Sequence, residues 1–134
     1  MSDAIGRRHR SLLALDSYSH MPHCVLDCSR TIEKHAKIAD IIQRVHDAAE
    51  GTGLFHKGTI KVRVHVYDHY AVGGATDDFV HTIAYIMAGR TEEQRADLSR
   101  QILLALEALL PTVRSRTVDI REINRATYSD RTTA

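Results

Sequence analysis

Tryptophan is absent from the sequence, and cysteine and proline occur only twice each in 134 residues. No apolar run approaches the roughly 20 residues that a helix needs to cross a bilayer. Neither sign of charge dominates, because 18 Lys and Arg residues stand against 17 Asp and Glu residues, for a formal net charge of +1. This balance gives no reason to expect nucleic acid or an acidic membrane surface as a partner.

The two cysteines, Cys24 and Cys28, are four residues apart in a segment that is typical of a strand. A strand rises about 3.3 Å per residue, which puts them roughly 13 Å apart and excludes a disulfide between them. No basic partner for a thiolate is identifiable, so both are predicted to be small buried hydrophobic residues. We therefore expect a reducing compartment and a cytoplasmic protein.

The length predicts one domain. Residues 1–21 are predicted to be an amino-terminal extension, because they show neither helical periodicity nor capping residues. Their basic cluster precedes only four or five apolar residues, too few for a secretory signal. A short helix, a disordered arm and sequence upstream of the true start codon all fit this composition. The domain is predicted over residues 22–124, with a polar tail over residues 125–134.

The first half of the domain predicts a strand, a helix and a second strand. The segment over residues 22–28 is short and mostly apolar, and its first residue, Pro22, is tolerated at the first position of a strand. Between residues 31 and 50 apolar residues recur at helical spacing, and two glycines follow as a stop. Residues 60–67 alternate, with apolar residues on one side and a polar, mostly cationic set on the other: Lys61, Arg63, His65 and Tyr67.

The second half repeats this order after a glycine-containing loop over residues 68–78. Residues 79–87 are predicted as a strand. Thr91 and Gln94 then have the spacing of a capping box, and leucine and isoleucine recur on one face of the helix that follows. The second proline marks the end of that helix, and residues 115–123 alternate as a last strand.

These elements predict an α+β domain in which two strand-helix-strand units form a four-stranded mixed sheet with two helices on one face. The parallel pairs need right-handed crossovers. Apolar residues occur on both sides of the strands, such as Ile83 and Met87 against Val80 and Ile86. The face without helices therefore also needs a cover. The domain has no further element for this, so we expect self-association into a closed ring.

This order of elements, with Met-Pro opening the first strand, resembles the tautomerase superfamily and implies its tautomerase/MIF-like fold. The turn and helix that begin with GRTEEQ are similar to those of 4-oxalocrotonate tautomerase. More particularly, PHCVLDCS, TGLF, RVHVYD, FVH and AGRTEEQR follow one another as in the 5-carboxymethyl-2-hydroxymuconate isomerases. The likeness extends from Pro22 to about Ile123.

The resemblance implies a cofactor-free, homotrimeric isomerase that moves a proton in an unsaturated di- or tricarboxylic acid, in aromatic catabolism such as homoprotocatechuate degradation. The amino-terminal proline is the base in such enzymes, which assigns this role to Pro22. Only a proline with no residue before it has a secondary amine that accepts a proton. Its α-amino group would titrate at about 7.7 to 8.0, and burial beside cations disfavours the charged form.

The role of Pro22 depends on how the chain begins. Translation from Met21, with removal of the methionine, would expose Pro22 and make residues 1–20 an artefact. Proteolytic trimming before Pro22 is a second route, with no recognisable cleavage signal. With the extension attached, Pro22 is an amide, and the alternative is a non-catalytic trimeric binding protein.

The resemblance also implies cations that hold the substrate carboxylates and stabilise the dienolate. Arg90 matches the arginine of the glycine-arginine turn and lies at a helix amino terminus, where backbone donors favour an anion. Lys61 and Arg63 on the second strand are the predicted substrate-binding residues. Lys61 stands where the related patterns have arginine, and lysine keeps the charge but loses the bidentate fork, which leaves the substrate undetermined.

Related enzymes on this scaffold include phenylpyruvate tautomerases and 3-chloroacrylate dehalogenases. The dehalogenases need an acidic residue near the proline, and Asp119 and Glu122 on the last strand are the candidates.

No metal site is predicted, because His65 and His69 lack the one-face geometry of a helical His-x-x-x-His pair. His23 and His81 are predicted to be hydrogen-bonded structural histidines.

Overall fold

The computed structural model describes residues 21–131, so the predicted extension lies outside the described residues apart from Met21, as do residues 132–134 of the tail. The elements are β1 (His23–Ser29), α1 (Ile38–Gly51), β2 (Lys61–Tyr67), β3 (Phe79–Met87), α2 (Glu92–Leu109) and β4 (Ser115–Ile123). A short 3-10 helix (Arg30–Lys34) precedes α1. None of the helices in this part of the chain is long and apolar enough to cross a membrane.

The four strands form one mixed sheet in the order β2-β1-β3-β4. β1 runs parallel to β2 and β3 runs parallel to β4, while the central strands β1 and β3 are antiparallel. Each parallel pair is joined through a helix, as parallel strands require. The predicted α+β architecture of two strand-helix-strand units is therefore confirmed.

The hydrophobic core lies between the sheet and the two helices, which pack against each other on one face. Alternate residues of β1 enter it, including both cysteines, and alternate residues of β3 do the same. The fully buried core residues of the strands and helices are Cys24, Leu26, Cys28, Val80, Ala84, Ile86, Ile41, Val45, Ala49, Leu98, Ile102 and Leu106. This arrangement leaves the opposite face of the sheet, called the outer face below, without helices.

The predicted single helix over residues 31–50 is wrong at its beginning, because the chain breaks between the 3-10 helix and α1. Ile32 and Ile41 are both fully buried. In one continuous helix they would be nine residues, or about two and a half turns, apart and would point to opposite sides. An extended residue, Lys37 (φ −69°, ψ 141°), separates the two helices and allows both isoleucines to face the core.

The predicted capping box at the start of α2 is confirmed. The Gln94 amide N–H donates to Thr91 Oγ1 at 3.1 Å, and the Thr91 amide N–H donates to Gln94 Oε1 at 2.9 Å. The helix ends at Leu109, two residues before Pro111, which cannot continue it. Both the beginning and the end of α2 thus have an identifiable cause in the sequence.

The outer face has exposed, mostly polar margins and an apolar group of side chains at its centre. The margin on β2 presents the exposed side chains Lys61, Arg63, His65 and Tyr67. The margin on β4 presents the exposed side chains Thr117, Asp119 and Arg121. Between these margins lie the half-buried side chains Val25, Ile83 and Tyr85. Apolar residues do occur on both faces, as predicted, but on the outer face they share the central strands with the half-buried polar residues His23, Asp27 and His81.

Candidate active site

The sheet topology brings the predicted site residues to one end of the sheet. β1 and β2 are parallel and begin together, with His23 beside Lys61. β3 is antiparallel to β1 and finishes at the same end, with Tyr85 beside His23. Arg90, which follows β3, therefore lies at the end where Pro22 leads into β1. We call this the proline end of the sheet.

Pro22 is buried at the head of β1. Its carbonyl oxygen accepts a hydrogen bond of 3.0 Å from the Lys61 amide N–H, which continues the pairing of β1 with β2 by one residue. Met21 before it is fully buried, and the Met21 carbonyl accepts a hydrogen bond of 3.5 Å from Thr59 Oγ1. In this chain the Pro22 nitrogen is bonded to Met21, so it is an amide.

The two predicted substrate-binding cations occupy neighbouring positions on the outer side of β2. Lys61 is exposed, and its ammonium donates to the Thr59 carbonyl oxygen at 2.8 Å. Arg63 is also exposed, and its Nη1 lies 3.2 Å from His23 Nδ1. Arg63 therefore reaches back toward the residue that follows Pro22.

Arg90 is half-buried and held by the segment between α1 and β2. Its Nη2 donates to the Leu54 carbonyl oxygen at 2.6 Å, and its guanidinium carbon lies 5.3 Å from the centre of the Phe55 ring. The preceding residue, Gly89, has a φ of +126°, a conformation that favours glycine. These contacts place Arg90 at the proline end and direct its guanidinium toward residues 54–55.

An open groove of about 440 Å³ lies beside the Arg90 contacts. Its lining residues are Thr52, Leu54, Thr91, Glu93, Gln94 and Asp97. Two of these are carboxylates, which would repel an anionic substrate. The groove therefore does not suit a di- or tricarboxylic acid.

The tail contributes a contact that the sequence did not predict. Tyr128 is half-buried, and its hydroxyl lies 3.0 Å from His23 Nε2. The two residues are 105 positions apart, so local patterns carry no signal of this contact. Burial, then Arg63 and Lys61, lower the pKa of His23 below its usual value, while Asp130 opposes this.

The remaining predicted histidine and the cysteines have structural roles. His81 Nδ1 lies 2.6 Å from Thr117 Oγ1, so both His23 and His81 are hydrogen-bonded, as predicted. Cys24 and Cys28 are free and buried. Burial raises the pKa of each thiol to about 12, so neither is a thiolate at neutral pH.

The two acidic candidates of β4 are both in ion pairs. Asp119 Oδ2 accepts from Arg121 Nε at 3.1 Å. Glu122 Oε1 lies 3.1 Å from Arg95 Nη1. Both carboxylates thus have cationic partners within their own chain.

One cluster of ligand-type side chains occurs on α1, and it was not predicted. The ligand atoms of His46, Asp47 and Glu50 lie within 4.8 Å of one another. Asp47 is exposed and already accepts hydrogen bonds from the side chains of His46 at 3.0 Å and Gln43 at 2.8 Å. The hydrogen bond from His46 has the larger effect and that from Gln43 the smaller one, and both lower the pKa of Asp47. None of the cluster belongs to the residues that form the proline end.

Two solved structures share the fold of this chain. The 5-carboxymethyl-2-hydroxymuconate isomerase from Deinococcus radiodurans R1 matches with a TM-score of 0.75 at 21% sequence identity, over 87% of this chain and 93% of that chain. A fused 4-OT, described as a symmetric trimer, matches with a TM-score of 0.64 at 19% identity, over 81% of this chain and 90% of that chain.

The family model of 5-carboxymethyl-2-hydroxymuconate isomerases matches residues 22–130, and the chain belongs to that family. A curated relative, the 5-carboxymethyl-2-hydroxymuconate Delta-isomerase of Escherichia coli, is 32% identical over 77 residues. That alignment covers 56% of this chain and spans 61% of the relative's own length. The resemblance inferred from the sequence motifs is confirmed.

Proposed function

We propose that this protein is a cofactor-free isomerase of the 5-carboxymethyl-2-hydroxymuconate type, acting in aromatic catabolism such as homoprotocatechuate degradation. Its substrate is an unsaturated 2-hydroxy di- or tricarboxylic acid, and Pro22, free at the amino terminus of the active chain, is the base. The observation that carries this proposal is that the family match begins at Pro22, the residue that directly precedes β1 at the proline end.

The proposed reaction needs one base. The Pro22 amine removes the proton of the 2-hydroxyl group, and the electron pair left on oxygen delocalises into the conjugated system as a dienolate. The protonated Pro22 then returns this proton to a carbon of the dienolate, which leaves a ketone and a shifted double bond. Nearby cations lower the pKa of a buried amine, which keeps it unprotonated near neutral pH.

The cations of the proline end fit the charge of such a substrate. Lys61 and Arg63 are exposed on the same margin of the sheet and would bind carboxylates, while Arg90 would stabilise the dienolate. The contacts of Arg90 with Leu54 and Phe55 hold its guanidinium near this end before substrate binds. Preorganised positive charge is the main contribution that we propose for these side chains.

The proposed assembly is a homotrimer in which the outer faces of three chains meet. The half-buried side chains Val25, Ile83 and Tyr85 at the centre of the outer face give an apolar surface to cover. Its margins differ in charge, because Lys61 and Arg63 on β2 are both cationic, whereas Asp119 and Arg121 on β4 form an ion pair with no net charge. Margins of different charge favour contact between different edges of neighbouring copies, which closes a ring.

The first test is the intact mass of the protein purified from its native host. A mass that corresponds to a chain beginning at Pro22 is expected. A full-length mass would contradict the role of Pro22 as a base and would favour a trimeric binding protein.

The second test compares the chain beginning at Pro22 with the full chain by ultraviolet absorbance. The substrates are 5-carboxymethyl-2-hydroxymuconate, 2-hydroxymuconate, phenylenolpyruvate and 3-chloroacrylate. We expect the shorter chain to isomerise the first of these fastest, and Pro22→Ala to lower kcat/KM by about 10²-fold or more. An unchanged far-ultraviolet circular dichroism spectrum of the variant is the folding control. The mechanism would be contradicted if the full chain were as active as the chain beginning at Pro22, or if Pro22→Ala were as active as the unmodified shorter chain.

A further inference from the structure

We propose that His23 and Tyr128 are positioning residues that fix the direction of the Arg63 guanidinium, so that the carboxyl-terminal tail forms part of the substrate-binding site. The inference rests on the proposed function, because that function makes Arg63 a carboxylate-binding cation. It adds two residues that do not touch the reacting atoms and act through Arg63.

The chemistry of the two contacts fixes the state of the imidazole. Arg63 Nη1 lies 3.2 Å from His23 Nδ1, and the Tyr128 hydroxyl lies 3.0 Å from His23 Nε2. A guanidinium has only donors, so Nδ1 must accept. The single proton of the neutral ring is then on Nε2, which donates to the Tyr128 oxygen. Only one tautomer of neutral His23 satisfies both contacts.

The tail that carries Tyr128 is itself attached to the proline end. The amide N–H groups of Thr127 and Tyr128 both donate to the Asn124 carbonyl oxygen at 3.1 Å, which forms a turn directly after β4. Arg125 Nη2 donates to the Ala88 carbonyl oxygen at 3.2 Å, in the connection that leads to Arg90. The segment that carries Tyr128 is therefore attached both to the end of β4 and to the connection between β3 and α2.

The surroundings of His23 favour its neutral form. His23 pairs with Lys61 of β2 and Tyr85 of β3. Among residues 21–131, the titratable or charged groups that face it are Lys61, Arg63, Tyr85, Tyr128 and Asp130. Partial burial and the two cations act against protonation, and Asp130 alone favours it. Protonation would put a proton on Nδ1 and a third positive charge beside Arg63 and Lys61. We expect this to release Arg63 from His23.

Holding Arg63 in advance lowers the cost of substrate binding, because a long side chain loses rotamer freedom when it binds a carboxylate. On this account His23→Leu and Tyr128→Phe raise KM by about fivefold to tenfold and leave kcat within about twofold. His23→Gln retains the low KM, because its amide oxygen accepts from Arg63 and its amide nitrogen donates to Tyr128. In the wild type, protonation of His23 and release of Arg63 are expected to raise KM at acid pH. Glutamine does not titrate, so this rise disappears in His23→Gln.

The control variant is Tyr70→Phe. The Tyr70 hydroxyl bonds to Thr31 Oγ1 at 3.0 Å, at the opposite end of the sheet, so its loss is expected to leave KM unchanged. If the chain proves inactive on every carboxylate, the dissociation constant of glutarate, followed by NMR titration, replaces KM in the same comparison. Equal KM or equal glutarate affinity in wild type and His23→Leu would overturn the positioning role.

A second measurement needs no activity. Histidine ¹⁵N chemical shifts of the full chain are expected to show His23 as the Nε2–H tautomer, with a midpoint below the usual value of about 6.5 that rises in Arg63→Gln. A charged ring or an Nδ1–H tautomer at neutral pH would overturn the inference. An inactive chain with the expected tautomer and a weaker glutarate affinity in His23→Leu would contradict the proposed function alone.

Discussion

Asp78 is the residue on which the most side-chain hydrogen bonds converge at the end of the sheet opposite Pro22. Ser29 Oγ donates to its Oδ1 at 2.9 Å, Thr31 donates to the same oxygen, and His35 Nε2 lies 2.6 Å from its Oδ2. Burial alone would raise the pKa of Asp78, but the hydrogen bonds from Thr31, His35 and Ser29 outweigh it and hold the pKa below its usual value. This network joins the 3-10 helix to the start of β3.

The shift of Asp78 has a definite sign for stability. A carboxyl group with a depressed folded-state pKa stabilises the fold above its unfolded value of about 3.9, and this contribution is lost as pH falls through the folded pKa. We expect Asp78→Asn to lower the free energy of unfolding by about 1–3 kcal/mol at pH 7, measured by urea denaturation. The difference from wild type should shrink toward pH 3.

The neighbouring carboxylate provides a matched control for this prediction. Asp77 Oδ2 lies 2.5 Å from Arg114 Nη1, but both side chains are exposed. An exposed ion pair contributes about 0–1 kcal/mol, so Asp77→Asn should have a small effect at either pH. Equal losses in the two variants at pH 7 would show that the network around Asp78 does not stabilise the fold.

At the residue scale the sequence predicted part of the candidate site. Pro22, Arg90, Lys61 and Arg63 were all chosen from motifs, and the strand register places them at one end of the sheet. Their catalytic and binding roles stay predictions. Tyr128 was not predicted, because its contact with His23 depends on how the tail folds back rather than on any local pattern.

At the scale of elements, α2 shows how one helix separates buried from exposed leucines. Leu106 is fully buried in the core, whereas Leu104, two residues earlier, is 50% exposed. Two residues correspond to about 200° of helix rotation, which puts the two side chains on opposite sides. The periodicity of this helix in the sequence therefore identifies its core face correctly.

This pair allows a test with the same substitution at both positions. We expect Leu106→Ala to lower the free energy of unfolding by about 2–5 kcal/mol, because it leaves a cavity in the core. Leu104→Ala should change it by less than about 0.5 kcal/mol. Urea denaturation measures both values, and a similar loss at the two positions would mean that α2 is not packed as described.

Strict alternation and capping residues made most elements predictable. The strands β3 and β4 have the predicted bounds, and α2 begins at its capping box. The break before α1 was missed, since helical periodicity over residues 31–50 does not reveal that Ile32 and Ile41 would point apart in one helix. Burial of both side chains decides the local geometry there, and that is a property of the packed core.

At the scale of the whole molecule, the two strand-helix-strand units give the sheet two similar ends with different chemistry. Pro22 precedes β1, whereas Asp78 precedes β3, and Arg30 follows β1 much as Arg90 follows β3. Arg30 Nε donates to Asp68 at 2.8 Å, and Asp78 is held by its own network. The proposed chemistry therefore belongs to one end only, with one site for each chain.

The proposed assembly is tested at the middle of the outer face. Ile83 lies beside Val25 on the central strands, so Ile83→Asp would place a charge in the proposed interface. We expect wild type to sediment as a trimer in analytical ultracentrifugation and this variant to sediment as a monomer with an unchanged circular dichroism spectrum.

Leu104→Asp is the matched control for the assembly, because this exposed leucine lies on the helical side of the domain. Its trimer should persist. A monomeric wild type, or a trimeric Ile83→Asp variant, would contradict the proposed use of the outer face.

The burial of Met21 bears on when the proposed amine of Pro22 could be exposed. Met21 is fully buried, Pro22 is buried next to it, and both lie directly before β1, a central strand with partners on either side. A peptidase needs an extended, accessible substrate, which the finished domain does not offer at this bond. On the proposed mechanism, the Pro22 amine would therefore have to be exposed before the domain folds, and a molecule that folds first would keep Pro22 as an amide.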